Sequence, residues 1–518
     1  TLKALLNDVV LARNDMGRLP ISNAIADVNF QFDAGFWRAD VQHLKIQTES
    51  AFGQAAKQWS DAAFSVGHRK ANGTQAEAFS LSAEKLELAE VAKLAGFFLP
   101  PSTEGLGYLK QAETQGALTD FAFYNEPSSG RFALAGRFAD LGFKPFGSVS
   151  GVSHATGRIK TSESAGALEL DSRDSVLEDA RIFSKPVTMQ KMNGLFNWRH
   201  DAQGWQISSP LAQLDCSAFK SVGRGSVFIP ANGASPFVDL QMRYSSDNAG
   251  QIKHFLPVQV MREKLKQWFG NAFLGGKIEQ GELLYYGETA NFPFTDNSGV
   301  FQARMDMRGI SLKYHPAWPQ IDAIQGILTL DKDLIEGKFE GGKAGQAKIG
   351  NTAMLISDIG MQPVLRIQGK GNGDALEMLK VLQQSPLANR VNPLLNHAGI
   401  TGTAEASLDL TVPFSPDQPA SADVMATLNN VEIAPKQVKL PLSGINGQIK
   451  FTRDGAFGRD IHANFLGRPA DVVVDTAGKQ AVITINGKMS VSDWIQQAGA
   501  LPDRFKANGE SSFRLALK

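Results

Sequence analysis

The residue types that most often carry out chemistry are scattered in this sequence. Its eight histidines lie at positions 43, 68, 154, 200, 254, 315, 397 and 462, and none has the H-E-x-x-H spacing that brings two imidazoles to one zinc ion. The single cysteine, Cys216, has no second thiol for an internal disulfide or a metal site. We therefore predict no metal site and no cofactor, and we interpret Cys216 as a buried structural thiol.

Two glycine-rich segments have part of the pattern of a nucleotide-binding loop. Gly337–Lys343 reads G-x-x-x-x-G-K, but Ala344 replaces the hydroxyl that binds magnesium in a P-loop, and strand patterns lie on both sides. Gly369–Gly373 lacks the dinucleotide spacing and indicates a turn before a helix capped by Asp374, with Glu377 three residues on. No nucleophile, base and orienting group occur together, so the sequence predicts a protein that is not an enzyme.

Charge and hydropathy exclude further classes of function. The chain has 52 Lys and Arg against 52 Asp and Glu, so nothing attracts a polyanion and we predict no nucleic-acid partner. No run of about 18 apolar residues is present, so the sequence predicts no membrane-spanning helix. It begins at Thr1 and ends within a strand pattern at Lys518, and we expect it to be a fragment of a longer protein.

Short segments with alternating apolar and polar residues run through the chain. The clearest is Phe301–Arg308, which is apolar at every second position and polar or charged between them. Alternation with a period of two predicts β-strands with one apolar and one polar face. The 50 glycines and 32 phenylalanines suit many strands joined by tight turns.

A pattern recurs along these strands: apolar-x-x-apolar-x-Gly-x-apolar. It occurs as Met189–Phe196, Ile321–Leu328 and Leu442–Ile449. A helical segment, a glycine and a strand also follow one another four times, over residues 104–124, 256–285, 386–412 and 494–515. Such self-similarity predicts a repeat architecture. We place the repeats at residues 1–100, 101–255 with an extra hairpin, 256–373, 374–491 and 492–518, with the first and last incomplete.

An antiparallel sheet with one apolar face must cover that face. Because the predicted helices are few and short, we expect the sheet to curl toward itself. If the curled walls meet, the apolar residues form a dry core and the protein is a passive scaffold. If they stay apart, they form an apolar trough that holds acyl chains. Gly136 and Gly309 would thin such a core, but a glycine in a strand also marks a bulge, so both possibilities stay open.

The segment Ile310–Leu328, which contains the Tyr-His-Pro-Ala-Trp-Pro run at 314–319, resembles a segment of large AsmA-like proteins of the YhdP type in Gram-negative bacteria. The preceding helical segment, Gly281 and Leu283–Tyr285 resemble the part before it. The similarity is most specific over residues 250–370 and looser elsewhere.

The resemblance implies a mainly β fold: an elongated, curled antiparallel sheet that forms a taco-like groove, built of repeats with one short helix each. It implies a periplasmic segment of an inner-membrane-anchored, bridge-like lipid transport protein, whose anchor is absent from this chain. Phospholipid acyl chains would move along the groove between the inner and outer membranes and support the outer-membrane barrier, with both membranes contacted through missing parts. The alternative is a non-conducting β-repeat scaffold that spans the envelope or recruits partners.

From the alternation we assign thirteen apolar side chains to the lipid-binding groove. These are Phe121, Phe123, Phe132, Leu134, Phe301, Met305, Met307, Leu408, Leu410, Val424, Leu428, Phe513 and Leu515.

Overall fold

The computed structural model describes residues 2–13, 17–48, 57–58, 61–89, 111–147, 149–181, 183–254, 270–314, 316–358, 362–385, 388–415, 418–436, 441–477, 480–498 and 508–517. Most of these residues lie in antiparallel strands, which confirms the predicted mainly β class. Within the described ranges, no helix is both long enough and apolar enough to cross a bilayer.

The chain divides into two compact units. Unit 1 comprises Thr1–Tyr244, Ile252–Met261 and Leu284–Phe292, and unit 2 comprises Ser245–Gln251, Arg262–Leu283 and Pro293–Lys518. The predicted division into five repeats stays a prediction.

Unit 1 is a meander in which strands that are close in sequence pair with each other. β1 pairs with β2, β2 with β3, β3 with both β4 and β5, and each later strand with the next one as far as β13. Its strands are β1 (Leu2–Arg13), β2 (Gly17–Asp33), β3 (Phe36–Thr48), β4 (Lys57–Gln58), β5 (Ala62–Arg69), β6 (Ala78–Glu87), β7 (Gln115–Glu126), β8 (Arg131–Phe143), β9 (Gly151–Ser162), β10 (Ala165–Glu178), β11 (Val187–Asp201), β12 (Gly204–Cys216) and β13 (Lys220–Pro230).

Two strands carry residues of both units, β14 (Phe237–Ser246) and β15 (Phe273–Glu288).

Unit 2 continues as a second antiparallel meander. Each strand from β16 to β27 pairs with the next. Its strands are β16 (Val300–Leu312), β17 (Ile321–Asp331), β18 (Leu334–Ala344), β19 (Ala347–Ser357), β20 (Val364–Asp374), β21 (Ala398–Pro413), β22 (Ser421–Pro435), β23 (Leu442–Thr452), β24 (Gly455–Phe465), β25 (Arg468–Ala477), β26 (Gln480–Ser490) and β27 (Glu510–Leu517).

Unit 2 also contains α1 (Ala375–Gln383) and α2 (Ala388–His397), which connect β20 to β21, and α3 (Val491–Ala498), which follows β26. The predicted cap is confirmed: the Asp374 carboxylate accepts hydrogen bonds from the backbone N–H groups of Leu376 and Glu377 at 2.9 and 3.2 Å. Most of the helical segments predicted within 104–113 and 256–273 lie outside the described residues. Phe273 itself begins β15.

A β-bulge interrupts many strands near their middle. At the bulge, two same-face apolar residues lie three positions apart instead of two, as in Phe138–Leu141 of β8 and Leu428–Val431 of β22, and the pairing register shifts there. The extra residue has a positive φ, 53° at Asp140 and 50° at Asn430. Asp, Asn and Gly tolerate this backbone better than other residues, and the bulge bends the strand.

The bulge explains the recurring sequence pattern. In Ile321–Leu328 and Leu442–Ile449, the three-residue step between the first two apolar positions contains residues with φ of 53° at Ala323 and 60° at Gly444. In Met189–Phe196 the register shifts within the same step. Gly309, which we considered as a glycine of the apolar face, instead occupies the bulge of β16 with φ 62°.

Candidate functional site

Most strands show one side that is mainly apolar and one that is mainly polar, and we call these the apolar face and the polar face. In β21, Ala404, Leu408 and Leu410 alternate with the exposed Glu405 and Asp409. The pairing registers keep the apolar residues of neighbouring strands on the same side. The apolar face of each unit is the candidate functional site.

The four predicted groove residues of unit 1 meet on the apolar face of β7 and β8. Phe123 is directly opposite Leu134, and Phe132 is opposite Asn125. Phe121 packs over Gly136, where a Cβ atom would lie 3.3 Å from the phenylalanine ring. All four predicted side chains are half-buried.

Three predicted residues lie on β16 of unit 2. Met305 is opposite Leu328 of β17, and Met307 is opposite Gly326. Met307 is buried, whereas Met305 and Phe301 are half-buried.

Four more predicted residues lie on the apolar face of β21 and β22. Leu408 is opposite Val424, and Leu428 is opposite Ala404. Leu410 is only 1% exposed and Val424 is also buried, whereas Leu408 and Leu428 are half-buried.

The last two predicted residues lie on β27. Leu515 is opposite Ile485, and the Phe513 ring contacts Trp494 of α3 edge-on, with ring centroids 5.4 Å apart. Phe513, Leu515 and Leu428 pack against a buried cluster of unit 2 that includes Ile445, Ile461 and Phe465. The structure thus places all thirteen predicted residues on the apolar face of their unit, in four groups by strand, of which the last two share one buried cluster. Their role in binding lipid stays a prediction.

Sequence reasoning missed an exposed part of the apolar face in unit 1. Trp205 and Ile207 of β12 and Ile229 of β13 are 42%, 37% and 40% exposed. Trp205 is opposite Ile229 and stacks on His200, with ring centroids 4.5 Å apart. The alternation Trp205-x-Ile207 was the signal that could have found these residues.

A second exposed group of aromatic side chains lies on the apolar face of β2 to β6. Trp37 lies between the rings of Phe30 and His68, with centroid distances of 6.2 and 6.0 Å, and His68 stacks on Phe79 at 4.6 Å. Phe30 is 54% and Phe79 is 42% exposed. Large apolar side chains that remain accessible in a folded sheet indicate a binding surface.

A shallow depression of about 570 Å³ lies over β7 to β10 and is mainly apolar. Most of its lining, including Ala122, Ala135, Lys160 and Ala167, lies on the side of the sheet opposite to that of Phe123 and Leu134, so the depression lies on the polar face.

Two buried serines of β10 in unit 1 are hydrogen-bonded. Ser172 and Ser175 of β10 are fully buried. The Ser172 hydroxyl accepts from the Thr156 N–H at 2.8 Å and donates to the Thr156 carbonyl at 3.0 Å, and Ser175 donates to the His154 carbonyl at 3.3 Å. These serines bond backbone groups where the β9–β10 pairing is broken by a bulge.

Charged groups form pairs on the polar face. Arg304 and Asp306 of β16 are 3.0 Å apart, and Arg308 reaches Glu279 of β15 at 2.9 Å. Exposed pairs of this kind contribute little stability but keep this face hydrated.

The titration of two groups supports a structural role for each. Burial, with a smaller contribution from Asp215, raises the pKa of Cys216 to about 11, so this thiol is neutral and unreactive. Hydrogen bonds from Arg181 and Ser150 hold the pKa of Asp179 well below its usual range. Among the described residues, no group of three or more His, Cys, Asp or Glu side chains is placed to hold a metal ion. The arrangement presents accessible apolar side chains in unit 1.

These features define a class of protein: antiparallel β meanders, one in each unit, whose strands have an apolar and a polar face. The chain belongs to the YhdP family, whose description is "YhdP protein" and whose sequence profile matches residues 10–517. It is 21% identical over 370 residues to the intermembrane phospholipid transporter YhdP of Escherichia coli strain K12. That match covers 71% of this chain and 29% of the transporter. No solved structure matches the chain.

Proposed function

We propose that this chain is a periplasmic segment of an intermembrane lipid transport protein and that its apolar face carries phospholipid acyl chains. The observation that carries the proposal is the accessible apolar surface of unit 1, where Trp205, Ile207 and Ile229 remain 37 to 42% exposed in the folded chain. Membership of the YhdP family and the relative named as a phospholipid transporter support it.

The energetics of such a surface favour passive binding with low specificity. Removing a CH₂ group from water is worth about 0.8 kcal/mol, so a long acyl chain is held by its length without a shaped pocket. Methionine side chains such as Met192, Met305 and Met354 adapt to tails of different shape. Headgroups would remain at the hydrated opening, and the chain would act without catalysis.

The proposal includes the wider setting. The transport path would connect the inner and outer membranes through parts of the protein beyond this chain, with an anchor in the inner membrane. It would thereby support the barrier of the outer membrane.

A non-conducting β-repeat scaffold is the second candidate. The observation that favours it is the packed cluster of unit 2, in which Ile461 and Phe465 are each 1% exposed.

Two neighbouring positions on β8 test the proposal. Leu134 is on the apolar face, whereas Ala135 is on the other side of the strand and lies opposite Lys160. We expect Leu134→Asp to lower the number of phospholipids that co-purify, because a carboxylate there repels acyl chains. Ala135→Asp, which gains a lysine partner, should retain them.

The measurement is native mass spectrometry of each purified variant, followed by lipid extraction, with circular dichroism as the test of folding. A wild-type chain that carries no lipid, before and after incubation with phospholipid vesicles, would contradict the proposal and favour the scaffold. Equal lipid binding by the two folded variants would show that Leu134 does not line the lipid-binding surface.

A further inference from the structure

The apolar face of unit 2 is covered in part by helices of the same chain. α1 contacts β19, β20 and β21, and α2 contacts β21. Leu376, Met378 and Leu379 of α1, with Leu394 and Leu395 of α2, pack against the buried cluster of the sheet. We call α1 and α2 together the helical hairpin. It occupies apolar surface of the kind that acyl chains would use.

The strands beneath the helical hairpin present small residues. Ala347 of β19, Gly373 of β20 and Ala404 of β21 lie in this region, and both alanines are buried. A Cβ atom at Gly373 would lie 3.8 Å from Cγ of Met378 and 3.9 Å from Cβ of Ala347. Met378 therefore lies over small residues at ordinary contact distance, so an acyl chain could enter here only if the helix moved away.

Among the described side chains, the helical hairpin has polar bonds within it and at its ends. The Asp374 carboxylate caps α1 where it leaves β20, and Lys436, the residue after β22, donates to the Asn396 carbonyl at 3.1 Å near the end of α2. Gln383 of α1 donates to Asn392 of α2 at 3.0 Å. The helical hairpin packs on the face of the sheet through apolar side chains. Movement away from the face could therefore keep both attachments and the bond between the helices.

The packing of α1 is also incomplete. Ala375 is buried, but Leu376, Met378, Leu379, Val381 and Leu382 are all half-buried. α1 thus presents apolar side chains to the sheet and to its surroundings at the same time. An acyl chain could replace the helix on the sheet while it covers the apolar side chains of α1, so the exchange preserves apolar contact on both sides.

We propose that the helical hairpin covers a second acyl-chain site on β19 to β21 and lifts from that stretch when a lipid tail enters. The proposal rests on the proposed function of the apolar face. The covered site accepts the same chemical class, the acyl chain of a phospholipid, and the helical hairpin competes with it for the same surface.

A covalent link between helix and sheet tests the competition. Ala347→Cys together with Met378→Cys places two thiols beside the position that a Cβ atom at Gly373 would occupy. The two thiols are within reach of a short bismaleimide. The matched control is Gln383→Cys with Asn392→Cys, which joins α1 to α2 without joining either helix to the sheet. The native Cys216 is 1% exposed and is present in every variant.

The probe is a phospholipid with a diazirine in its acyl chain, in vesicles of phosphatidylethanolamine and phosphatidylglycerol. After illumination, mass spectrometry of peptides locates the label on the full chain. We expect label in peptides from β20 and β21 in the unlinked protein and in the linked control. We expect loss of that label in the linked Ala347→Cys/Met378→Cys chain, while label in β11 to β13 of unit 1 is retained.

The outcomes separate the two proposals. Label in β11 to β13 with none in β20 and β21 in any variant would overturn the covered site and leave the proposed function standing. Equal label in β20 and β21 with and without the helix-to-sheet link would overturn the competition. Absence of label throughout the chain would overturn the proposed function itself.

Discussion

The apolar faces of the two units differ in what covers them. In unit 1, the side chains of Trp205 of β12 and Ile229 of β13 are 42% and 40% exposed to solvent. In unit 2, Ile461 and Phe465 of β24 are 1% exposed, within a cluster to which α1, α2 and α3 contribute. The same alternation of apolar and polar residues therefore yields an accessible surface in one place and a packed core in another.

The difference shows that alternation determines which face a side chain lies on, whereas contacts from distant parts of the chain determine whether that face is sealed. Phe513 illustrates the second point, because its ring contacts Trp494 of α3 and Phe465 of β24, each at 5.4 Å. A residue of this kind contributes to folding whether or not it also contacts lipid.

A charge placed on the apolar face should give the largest difference in stability between the two units. We expect Ile461→Asp to destabilise unit 2 by about 4 kcal/mol or more, because an unpaired carboxylate would lie in a packed core. Ile207→Asp, at a position that is 37% exposed, should cost about 1 kcal/mol, because its carboxylate reaches water. Urea unfolding followed by hydrogen exchange of peptides from each unit measures both values.

Similar losses for the two substitutions would break the comparison, because they would mean that the apolar face of unit 1 is as well sealed as that of unit 2. Ser407→Asp serves as the control, since Ser407 is exposed on the polar face of β21 opposite Lys370.

The glycines of the recurring pattern give a smaller contrast between the units. Gly326 has φ 152°, and a Cβ atom there would lie 2.2 Å from the Lys338 carbonyl oxygen. A Cβ atom at Gly194 of unit 1 would instead lie 2.8 Å from the movable ring of Phe196, and its backbone neighbour, the Leu211 carbonyl oxygen, would be more distant at 3.2 Å. We expect Gly326→Ala to cost about 3 kcal/mol and Gly194→Ala about 1 kcal/mol, because backbone cannot yield as a side chain does.

Thermal unfolding of the two alanine variants beside the wild-type chain checks this order. If Gly194→Ala were the more harmful change, the shared pattern would have a different structural basis in the two units.

The helix cap should give the smallest effect and one confined to unit 2. Asp374→Ala removes the acceptor for two N–H groups of α1, and we expect a loss of about 1 kcal/mol. Asp374→Asn retains an acceptor oxygen and should retain most of the stability. Hydrogen exchange of residues 375–383 reports the fraying directly, and unchanged exchange in Asp374→Ala would show that packing alone holds α1 in place.

The strand content and the faces of the strands could be predicted from the sequence, since both follow from local periodicity. Phe301–Arg308 alternates in sequence and forms part of β16, and the Asp374 cap was evident from its spacing to Glu377. The bulges were also encoded, as a three-residue apolar step that often has Asp, Asn or Gly before the second apolar residue. Leu118–Phe121, with Asp120 at φ 50°, is one example.

Coverage of the apolar face could not be predicted in the same way. Leu408 and Leu410 occupy equivalent positions of one alternating strand, yet one is half-buried and the other is 1% exposed. The meeting of Ala347, Gly373 and Met378 likewise depends on how a helix folds back over three strands. Local periodicity carries no information about such contacts, so the helical hairpin over the apolar face emerged only from the structure.

The bulges fix the pairing register of the strands that contain them. Asp140, His154 and Asp174 have φ of 53°, 58° and 51° in three consecutive strands, so a strand that slipped along its neighbour would bring regular backbone against a bulge. A single inserted residue disturbs this pairing register. A whole hairpin, added or removed between two turns, leaves the register of the other strands and the orientation of both faces unchanged. Such a sheet is therefore suited to change its length in evolution by discrete two-strand modules, with the cross-section of each remaining strand unchanged.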